Sequence, residues 1–266
     1  GREMLWCADP TVWNRHAPIL FPYAGKLTGG HFLAENGKVY EGGQHGFVRD
    51  LEHRLVSQTA NELTFELTSG GETYAYFPYD FALRSTYTLE GRRISHSVAV
   101  RNTGKGTLRF GFGYHPGFAL PFDDAHTAED YDVVFDTIES PLCLNTAPNG
   151  LVCASPDYYL ARNVDRIPLS AKLFAHDSHC MVNLKSKTMA VVERDTGRRI
   201  VVDIADFPYT LIWSTPQEPM RFICIEPWHS IPSEDNGPIE WEKKPCAASL
   251  APDEMWQTTL NVTFER

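Results

Sequence analysis

The sequence predicts an all-β protein, a large antiparallel β-sandwich. Runs of β-branched and aromatic residues alternate with glycine, asparagine and charged turn residues along most of the chain, and no stretch of helical periodicity stands out. Short strands with almost no helix favour a sandwich or barrel over an α/β fold. Such a sheet has a broad face on which polar residues from several strands can converge, and we expect the chemistry there.

The predicted strands follow one another in order, most of them separated by turn residues. Glycines 70 and 71 follow the first strand, the sequence EGR at 90–92 separates the second from the third, and 102–106 is the next turn. The middle, from Pro121 to about His179, is rich in proline and aspartate and is predicted to be mostly loop, with one strand. The predicted strands are residues 63–67, 81–89, 94–100, 108–113, 131–135, 189–193, 199–204, 210–213, 221–225 and 258–264.

Length and composition predict one soluble domain, residues 1–266, because no linker interrupts the pattern. The net charge of −10 argues against nucleic acid as a partner, since that binding needs a basic surface. The sequence lacks an apolar run of membrane-spanning length and a signal-peptide pattern, so we expect a cytoplasmic protein with no membrane partner. The six cysteines have no CxxC spacing and are expected to be free thiols in a reducing compartment.

Four short segments place ionisable side chains among glycines, prolines and aromatic residues, which is unusual for a plain sheet surface. Each segment holds a histidine, a cation or a carboxylate that could face a cleft. The segments are residues 13–27 (WNRHAPILFPYAGKL), 44–50 (QHGFVRD), 111–118 (GFGYHPGF) and 224–229 (CIEPWH).

Glu226 and His115 are the strongest candidates for acid–base chemistry. Glu226 ends an apolar strand, where a carboxylate needs a partner or a task, and apolar surroundings raise its basicity. An ion pair with Arg15 or Lys26 is the structural alternative. His115 follows a strand of phenylalanine and glycine, and imidazole exchanges protons near neutral pH. A hydrogen-bonded histidine at the end of a sheet is the alternative for His115.

Other polar residues admit two interpretations each. His45 follows two glycines on a loop that can reach into a cleft, although an ordinary loop histidine is as good an interpretation. Arg49 forms either a surface pair with Asp50 or a fork onto sugar hydroxyls or a phosphate. Trp213, Trp228 and Trp241 are expected in the core, although one of them could stack on a sugar ring. The sequence HDSH at 176–179 has no second ligand pair at zinc-like spacing, so no metal is expected.

Taken together, the segments resemble the aldose 1-epimerase (galactose mutarotase-like) superfamily, and within it the branch of LacX-like proteins and hexose-6-phosphate epimerases. The likeness covers nearly the whole chain, with the matching motifs in the family's order. They are residues 1–6 (GREMLW), 15–22 (RHAPILFP), 25–27 (GKL), 44–50 (QHGFVRD), 113–116 (GYHP) and 224–228 (CIEPW). The chain begins where the family has usually formed one or two strands, so we expect either missing N-terminal strands or a different sheet edge.

The resemblance implies a galactose mutarotase-like supersandwich with an open groove and an isomerase that interconverts the α and β anomers of an aldose. It implies Glu226 as the base that takes the proton from the anomeric hydroxyl, and His115 as the acid that protonates the ring oxygen. His45 would hold or polarise the substrate beside His115. Such chemistry needs one proton removed and one delivered, so no cofactor is expected.

The resemblance also implies residues that bind the substrate. Asp177 is similar in place to an aspartate that binds sugar hydroxyls, and Lys26 stands where many relatives carry arginine. Arg15 and Arg49 match arginines that hold phosphate in the hexose-phosphate branch, so the expected partner is a small sugar or sugar phosphate.

Two other functions stay open at this point. The first is a non-catalytic carbohydrate-binding or sensing module on the same fold, which would need no acid–base pair. The second is a polysaccharide lyase or hydrolase, for which the sequence offers no convincing second carboxylate. Sugar identity and oligomeric state are not predicted.

Overall fold

A computed structural model of the chain describes residues 2–146 and 148–266, so Gly1 of the opening GREMLW segment lies outside the described residues. Within these ranges the helical structure consists of short 3-10 helices: Thr28–Gly30, Val48–Asp50, Thr73–Ala75, Ala128–Asp130, Ala171–Phe174 and Trp241–Lys243. None of them has the length and apolar character of a helix that crosses a membrane.

Strands make up the rest of the regular structure, and every pairing between them inside the sheets is antiparallel. The all-β, antiparallel prediction is confirmed. The strands are β1 (Ile19–Leu20), β2 (His31–Leu33), β3 (Val39–Glu41), β4 (Arg54–Gln58), β5 (Glu62–Thr68), β6 (Phe81–Glu90), β7 (Arg93–Asn102), β8 (Leu108–Phe110), β9 (Gly113–Tyr114), β10 (Gly117–Ala119), β11 (Tyr131–Glu139), β12 (Leu142–Leu144), β13 (Tyr158–Tyr159), β14 (Val164–Pro168), β15 (His179–Val182), β16 (Thr188–Glu193), β17 (Arg199–Asp203), β18 (Tyr209–Trp213), β19 (Phe222–Trp228), β20 (Ala248–Leu250) and β21 (Met255–Glu265).

Two large sheets form the sandwich. One has nine strands in the order β14-β11-β16-β17-β21-β7-β6-β5-β4. The other has eight, in the order β1-β9-β19-β18-β15-β12-β13, with β10 also paired to β19. The hairpin β2–β3 and the pair formed by β8 and β20, which are far apart in the chain, stand outside both sheets.

The core lies between the two large sheets and connects them in one cluster of buried side chains. From the eight-stranded sheet, Ile223 and Ile225 of β19 enter this cluster. From the nine-stranded sheet, Val98 and Val100 of β7 and Val191 of β16 join it. Alternate residues on each strand point in opposite directions, so the intervening side chains of β19 face away from this core.

The predicted loop between Pro121 and His179 is wrong in part. The expected strand extends to Glu139, and β12, β13 and β14 are additional strands of two to five residues. β13 and β14 lie at sheet edges, where short strands with prolines and charges are tolerated, and β12 lies next to the edge strand β13. This composition hid all three. The predicted strand at 108–113 is also wrong, because it divides into β8 and β9, which pair in different sheets.

Candidate active site

A cavity of about 350 Å³ opens on the face of the eight-stranded sheet that points away from the core. Its wall combines side chains of β15, β18 and β19 with loops from the first third of the chain. Six of the seven residues that sequence reasoning selected line it: Arg15, His45, Arg49, His115, Asp177 and Glu226.

Sheet register brings His115 and Glu226 together. Gly117 pairs with Cys224 and Gly113 pairs with Trp228, so the residues on both sides of His115 share one antiparallel register with β19. That register sets His115 directly across from Glu226. Because residues two apart on a strand share a face, Cys224, Glu226 and Trp228 point to the same side as His115.

Gly113 and Gly117 flank His115 at alternate positions along the chain, so His115 carries the one side chain of these three residues. A Cβ at Gly113 would come within 2.5 Å of the Trp228 indole, and one at Gly117 within 2.9 Å of the Trp13 indole. The GYHPG sequence therefore lets two tryptophans close over the backbone on either side of the histidine.

The His115 Nε2 atom lies 3.3 Å from Oε2 of Glu226. Both residues are almost completely buried, with exposed fractions of 7% and 2%. Burial, together with the charge of Asp177, raises the pKa of Glu226 well above its ordinary value. Burial and the nearby Arg49 lower the pKa of His115 to about 3. Each group on its own thus favours its uncharged form, and the two are close enough to exchange a proton.

Aromatic rings hold the His115 imidazole in place. Trp13 stacks on it with ring centroids 4.9 Å apart, and Trp213 meets it edge-on at 5.7 Å. Its backbone N–H donates to the Pro18 carbonyl at 3.1 Å. The other ring nitrogen, Nδ1, is buried and has no hydrogen-bond partner among the described residues. The imidazole is therefore oriented by packing, and Glu226 is its ion-pair partner.

His45 reaches the cavity on a strained turn. His45 and Gly46 both have positive φ, and a Cβ at Gly46 would lie 1.9 Å from the Phe21 carbonyl oxygen. The His45 N–H donates to the Gly25 carbonyl at 2.8 Å, and the Gly25 N–H donates to Nδ1 of His45 at 3.0 Å. Since Nδ1 accepts, the neutral ring carries its hydrogen on Nε2. Burial and the neighbouring His115 lower the pKa of His45, so it stays a neutral donor.

Two arginines share one carboxylate at the rim of the cavity. Arg15 donates to Asp50, while Nε of Arg49 lies 3.8 Å from the same carboxylate. A terminal nitrogen of Arg49 donates to the Gln44 carbonyl at 2.7 Å, but its Nε is buried without a hydrogen-bond partner among the described residues. Burial, with Arg15 nearby, lowers the pKa of Arg49. The rim therefore carries an uncompensated positive charge that an anionic or hydroxyl-rich ligand could satisfy.

Asp177 lines the cavity, whereas Lys26 does not. Asp177 lies at the cavity edge with a positive φ, just after the 3-10 helix Ala171–Phe174, and its charge acts on Glu226. The Lys26 ammonium instead donates to the Asn149 carbonyl at 2.7 Å. Lys26 thus supports the loop that brings Gly150 to the cavity wall. The ion pair of Glu226 with Arg15 or Lys26, considered from the sequence, is not what the structure shows.

Sequence reasoning missed part of the aromatic wall. Trp228 and Trp241 are buried, as expected. Trp13, which was not singled out, lines the cavity together with Trp213 and Trp228. The period-two pattern of β19, which sets Trp228 on the same face as Glu226, could have revealed one of them. His229, in the same segment as Glu226, is not part of the site and bonds to Thr258 at 2.7 Å.

Among the described residues, two groups of side chains have a metal-ligand composition. The ligand atoms of His115, Cys224 and Glu226 all lie within 4.8 Å of one another, as do those of the group formed by Asp123, His126 and Glu193. The second group is far from the cavity by topology, on β16 and the loop before β11 of the nine-stranded sheet.

Comparison with known proteins gives consistent findings. The family described as Aldose 1-epimerase matches residues 1–262. The chromosomal LacX protein of Lactococcus lactis subsp. lactis is 32% identical over 271 residues, which cover 99% of this chain and 90% of LacX. A galactose mutarotase related enzyme from Lactobacillus acidophilus superimposes with a TM-score of 0.93 at 28% identity, covering 100% of this chain and 88% of that one. A galactose mutarotase-like protein from Lactobacillus casei gives 0.87 at 28% identity, with 99% and 90% covered.

Proposed function

The chain belongs to the aldose 1-epimerase family, and from this premise we propose that it is a mutarotase that interconverts the α and β anomers of an aldose or sugar phosphate. A sugar epimerase or mutarotase role agrees with the family and with the galactose mutarotase-like fold. Glu226 and His115 would perform the proton transfers, with no cofactor taking part.

The single observation that carries this proposal is the contact between His115 and Glu226. In a pyranose, the anomeric oxygen O1 and the ring oxygen O5 are bonded to the same carbon. A proton acceptor and a proton donor only 3.3 Å apart, both at the wall of one cavity, can therefore reach both oxygens at once.

The proton balance of the reaction fits this pair. The carboxylate of Glu226 accepts the O1 proton as the C1–O5 bond breaks, and the protonated His115 gives its proton to O5. The product is an open-chain aldehyde beside a neutral carboxylic acid and a neutral imidazole. After rotation about the C1–C2 bond, O5 attacks C1 from the other side of the carbonyl, O5 returns its proton to His115, and Glu226 protonates O1.

Burial assists the step that breaks the ring. The cavity favours the uncharged forms of both Glu226 and His115, as their pKa directions indicate. Those uncharged forms are the ones that accompany the open-chain aldehyde. The buried site therefore stabilises the proton arrangement of the intermediate relative to the ion pair that starts the reaction.

Other cavity residues would hold the sugar. His45 offers an Nε2–H to an oxygen near His115, whose ring is perpendicular to its own at a centroid distance of 5.5 Å. Asp177 can accept from a hydroxyl at the cavity edge. Trp13, Trp213 and Trp228 supply apolar surface against the ring faces.

The rim formed by Arg15, Arg49 and Asp50 favours a sugar phosphate over a neutral sugar. Two guanidinium groups face one carboxylate there, and the buried Nε of Arg49 has no hydrogen-bond partner among the described residues. A phosphate is a bidentate acceptor that could satisfy such a donor.

Exchange spectroscopy by NMR tests the function and the substrate together. Anomer exchange of glucose, galactose and glucose 6-phosphate is measured with and without the protein. We expect catalysed exchange of at least one sugar, with the highest kcat/KM for glucose 6-phosphate. Saturable binding of these sugars with exchange no faster than the spontaneous rate would instead identify a non-catalytic sugar-binding module.

A further inference from the structure

A cysteine completes a three-residue cluster around the His115–Glu226 pair. Cys224 lies two residues before Glu226 on β19, on the same face, and its register partner is Gly117. Because Gly117 has no side chain, the Cys224 thiol has room beside the backbone of Gly117. A Cβ at residue 117 would be 3.5 Å from the Cys224 Sγ atom. All three side chains are buried, and Cys224 is fully inaccessible.

This trio has the composition of a transition-metal site. A histidine nitrogen, a cysteine sulfur and a carboxylate oxygen lie within 4.8 Å of one another, so small side-chain rotations would bring them to the usual zinc distances of about 2.0–2.3 Å. Thiolate and imidazole ligands favour zinc over magnesium or calcium. A dication held by one thiolate, one carboxylate and one neutral imidazole forms an electrically neutral cluster, which suits a buried position.

The site also has an entrance and an open position. Glu226 and His115 line the cavity, while Cys224, two residues before Glu226 on the same face of β19, is not one of its lining residues. An ion that enters from the cavity therefore meets His115 and Glu226 first, the Cys224 thiol completes the set of three ligands, and the fourth position faces the cavity. Three protein ligands with one exchangeable position are typical of accessible zinc sites.

The second group, around Asp123, His126 and Glu193, differs in this respect. The Arg198 guanidinium forms ion pairs with both Asp123 and Glu193 and so already holds the place that a cation would take. That group carries no metal proposal.

We propose that His115 Nε2, Cys224 Sγ and the Glu226 carboxylate form a binding site for Zn²⁺, and that the bound ion reversibly blocks the acid–base pair. Coordination releases two protons to solvent, that of the Cys224 thiol and the one that the His115–Glu226 pair holds, and no bond other than the metal–ligand bonds forms. The binding stands on this chain's geometry alone. The inhibition rests on the proposed mutarotase function.

Cobalt substitution tests the binding without any activity measurement. Co²⁺ bound to a thiolate gives a charge-transfer absorption in the near ultraviolet. Titration of the intact protein with Co²⁺ should develop this band at one equivalent, and Zn²⁺ should abolish it. The Cys224→Ser and Glu226→Gln variants should each bind Co²⁺ at least about 100-fold more weakly. Loss of even an outer hydrogen-bond partner of a metal ligand lowers metal affinity by about 10–100-fold.

Cys180 provides the matched control for the cysteine. It is also buried and lies on the wall of the same cavity, on β15, outside the three-residue cluster. Cys180→Ser should keep the cobalt band and its stoichiometry. A wild-type protein with no band, or a band that survives in Cys224→Ser and disappears in Cys180→Ser, would overturn the site.

Inhibition is then measured on the sugar with the fastest anomer exchange. Zn²⁺ should slow exchange in the wild type and in Cys180→Ser, a chelator should restore it, and Cys224→Ser should need about 100-fold more Zn²⁺ relative to its own metal-free rate. If no sugar exchanges in the wild type, the proposed function fails while the cobalt titration still decides the metal site. If exchange is normal but neither cobalt nor zinc acts, the metal inference alone fails.

Discussion

Two regions of this protein place a buried glutamate beside a histidine, and they treat the pair in opposite ways. In the cavity, burial raises the pKa of Glu226 and lowers that of His115 to about 3. Beside the nine-stranded sheet, hydrogen bonds that His126 donates to Asp123 and Asp195 raise its pKa to about 9. Burial raises the pKa of Glu193 as well, but hydrogen bonds from Thr196, Tyr131 and Arg198 more than offset it and hold the pKa below its ordinary value.

The difference lies in the number of partners, since both glutamates are almost inaccessible to solvent. Glu193 accepts from the Tyr131 hydroxyl at 2.5 Å and from Arg198 Nε at 2.7 Å, and Thr196 also donates to it. Glu226 has His115 at 3.3 Å as its ion-pair neighbour, and Nδ1 of that histidine has no partner among the described residues. A glutamate–histidine pair with several hydrogen-bond partners stabilises the fold, whereas a pair that has few such partners is available to a ligand.

The largest expected effect separates the two glutamates. Glu226→Gln should lower kcat for anomer exchange by about 10³-fold, because the amide cannot accept the O1 proton and general acid–base groups are worth about 10²–10⁴-fold. Its free energy of unfolding should stay within about 1 kcal/mol of the wild type, since a buried charge-bearing group with few partners is replaced by a neutral one.

Glu193→Gln is the matched variant in the other region. It should keep the rate of anomer exchange and lose about 2–3 kcal/mol of unfolding free energy, because Arg198 then lacks its buried counter-charge. Exchange NMR and urea denaturation measure the two quantities. The comparison breaks if Glu193→Gln loses activity at unchanged stability, or if Glu226→Gln retains full activity.

A smaller loss is expected from the histidine of the cavity. His115→Gln keeps a hydrogen-bonding side chain of similar reach but cannot deliver a proton, so kcat should fall by about 100-fold. The KM should change little, since Trp13 and His45 still shape the cavity. A rise in KM at constant kcat would assign His115 to binding instead of catalysis.

The smallest expected effect is on the pH dependence of stability, and it concerns His126. The pKa of His126 is raised in the folded state, so its stabilising contribution is fully present below about pH 6.5 and is lost as pH rises through about 9. The difference in melting temperature between wild type and His126→Gln should therefore shrink from pH 6 to pH 10. A difference that stays constant over this range would mean that the ion pairs of His126 do not stabilise the fold.

Local pattern predicted much of the site. The apolar strand that Glu226 ends and the glycines beside His115 identified these two residues as candidates for acid–base chemistry. Neither segment contains the information that sets residue 115 across from residue 226, because that register depends on two β-strands far apart in the chain. The bond of Lys26 to the Asn149 carbonyl was equally invisible, since it depends on how a distant loop folds.

Strands in the fold were predictable where they are long and lie inside a sheet. The paired strands β6 and β7 were predicted closely, because each alternates over most of its ten residues. The strands β12, β13 and β14 were not, since all three are short and two of them, β13 and β14, are edge strands, which bury less of their surface and tolerate the polar composition of a loop.

The central claim is that Glu226 and His115 act as one unit, and a double-mutant cycle tests it most directly. Anomer exchange is measured by NMR for Glu226→Gln, His115→Gln and the variant carrying both changes. If the two residues share one proton-transfer task, the double variant loses about as much rate as Glu226→Gln alone. If the losses of the single variants multiply in the double variant, the residues act independently and the account is wrong.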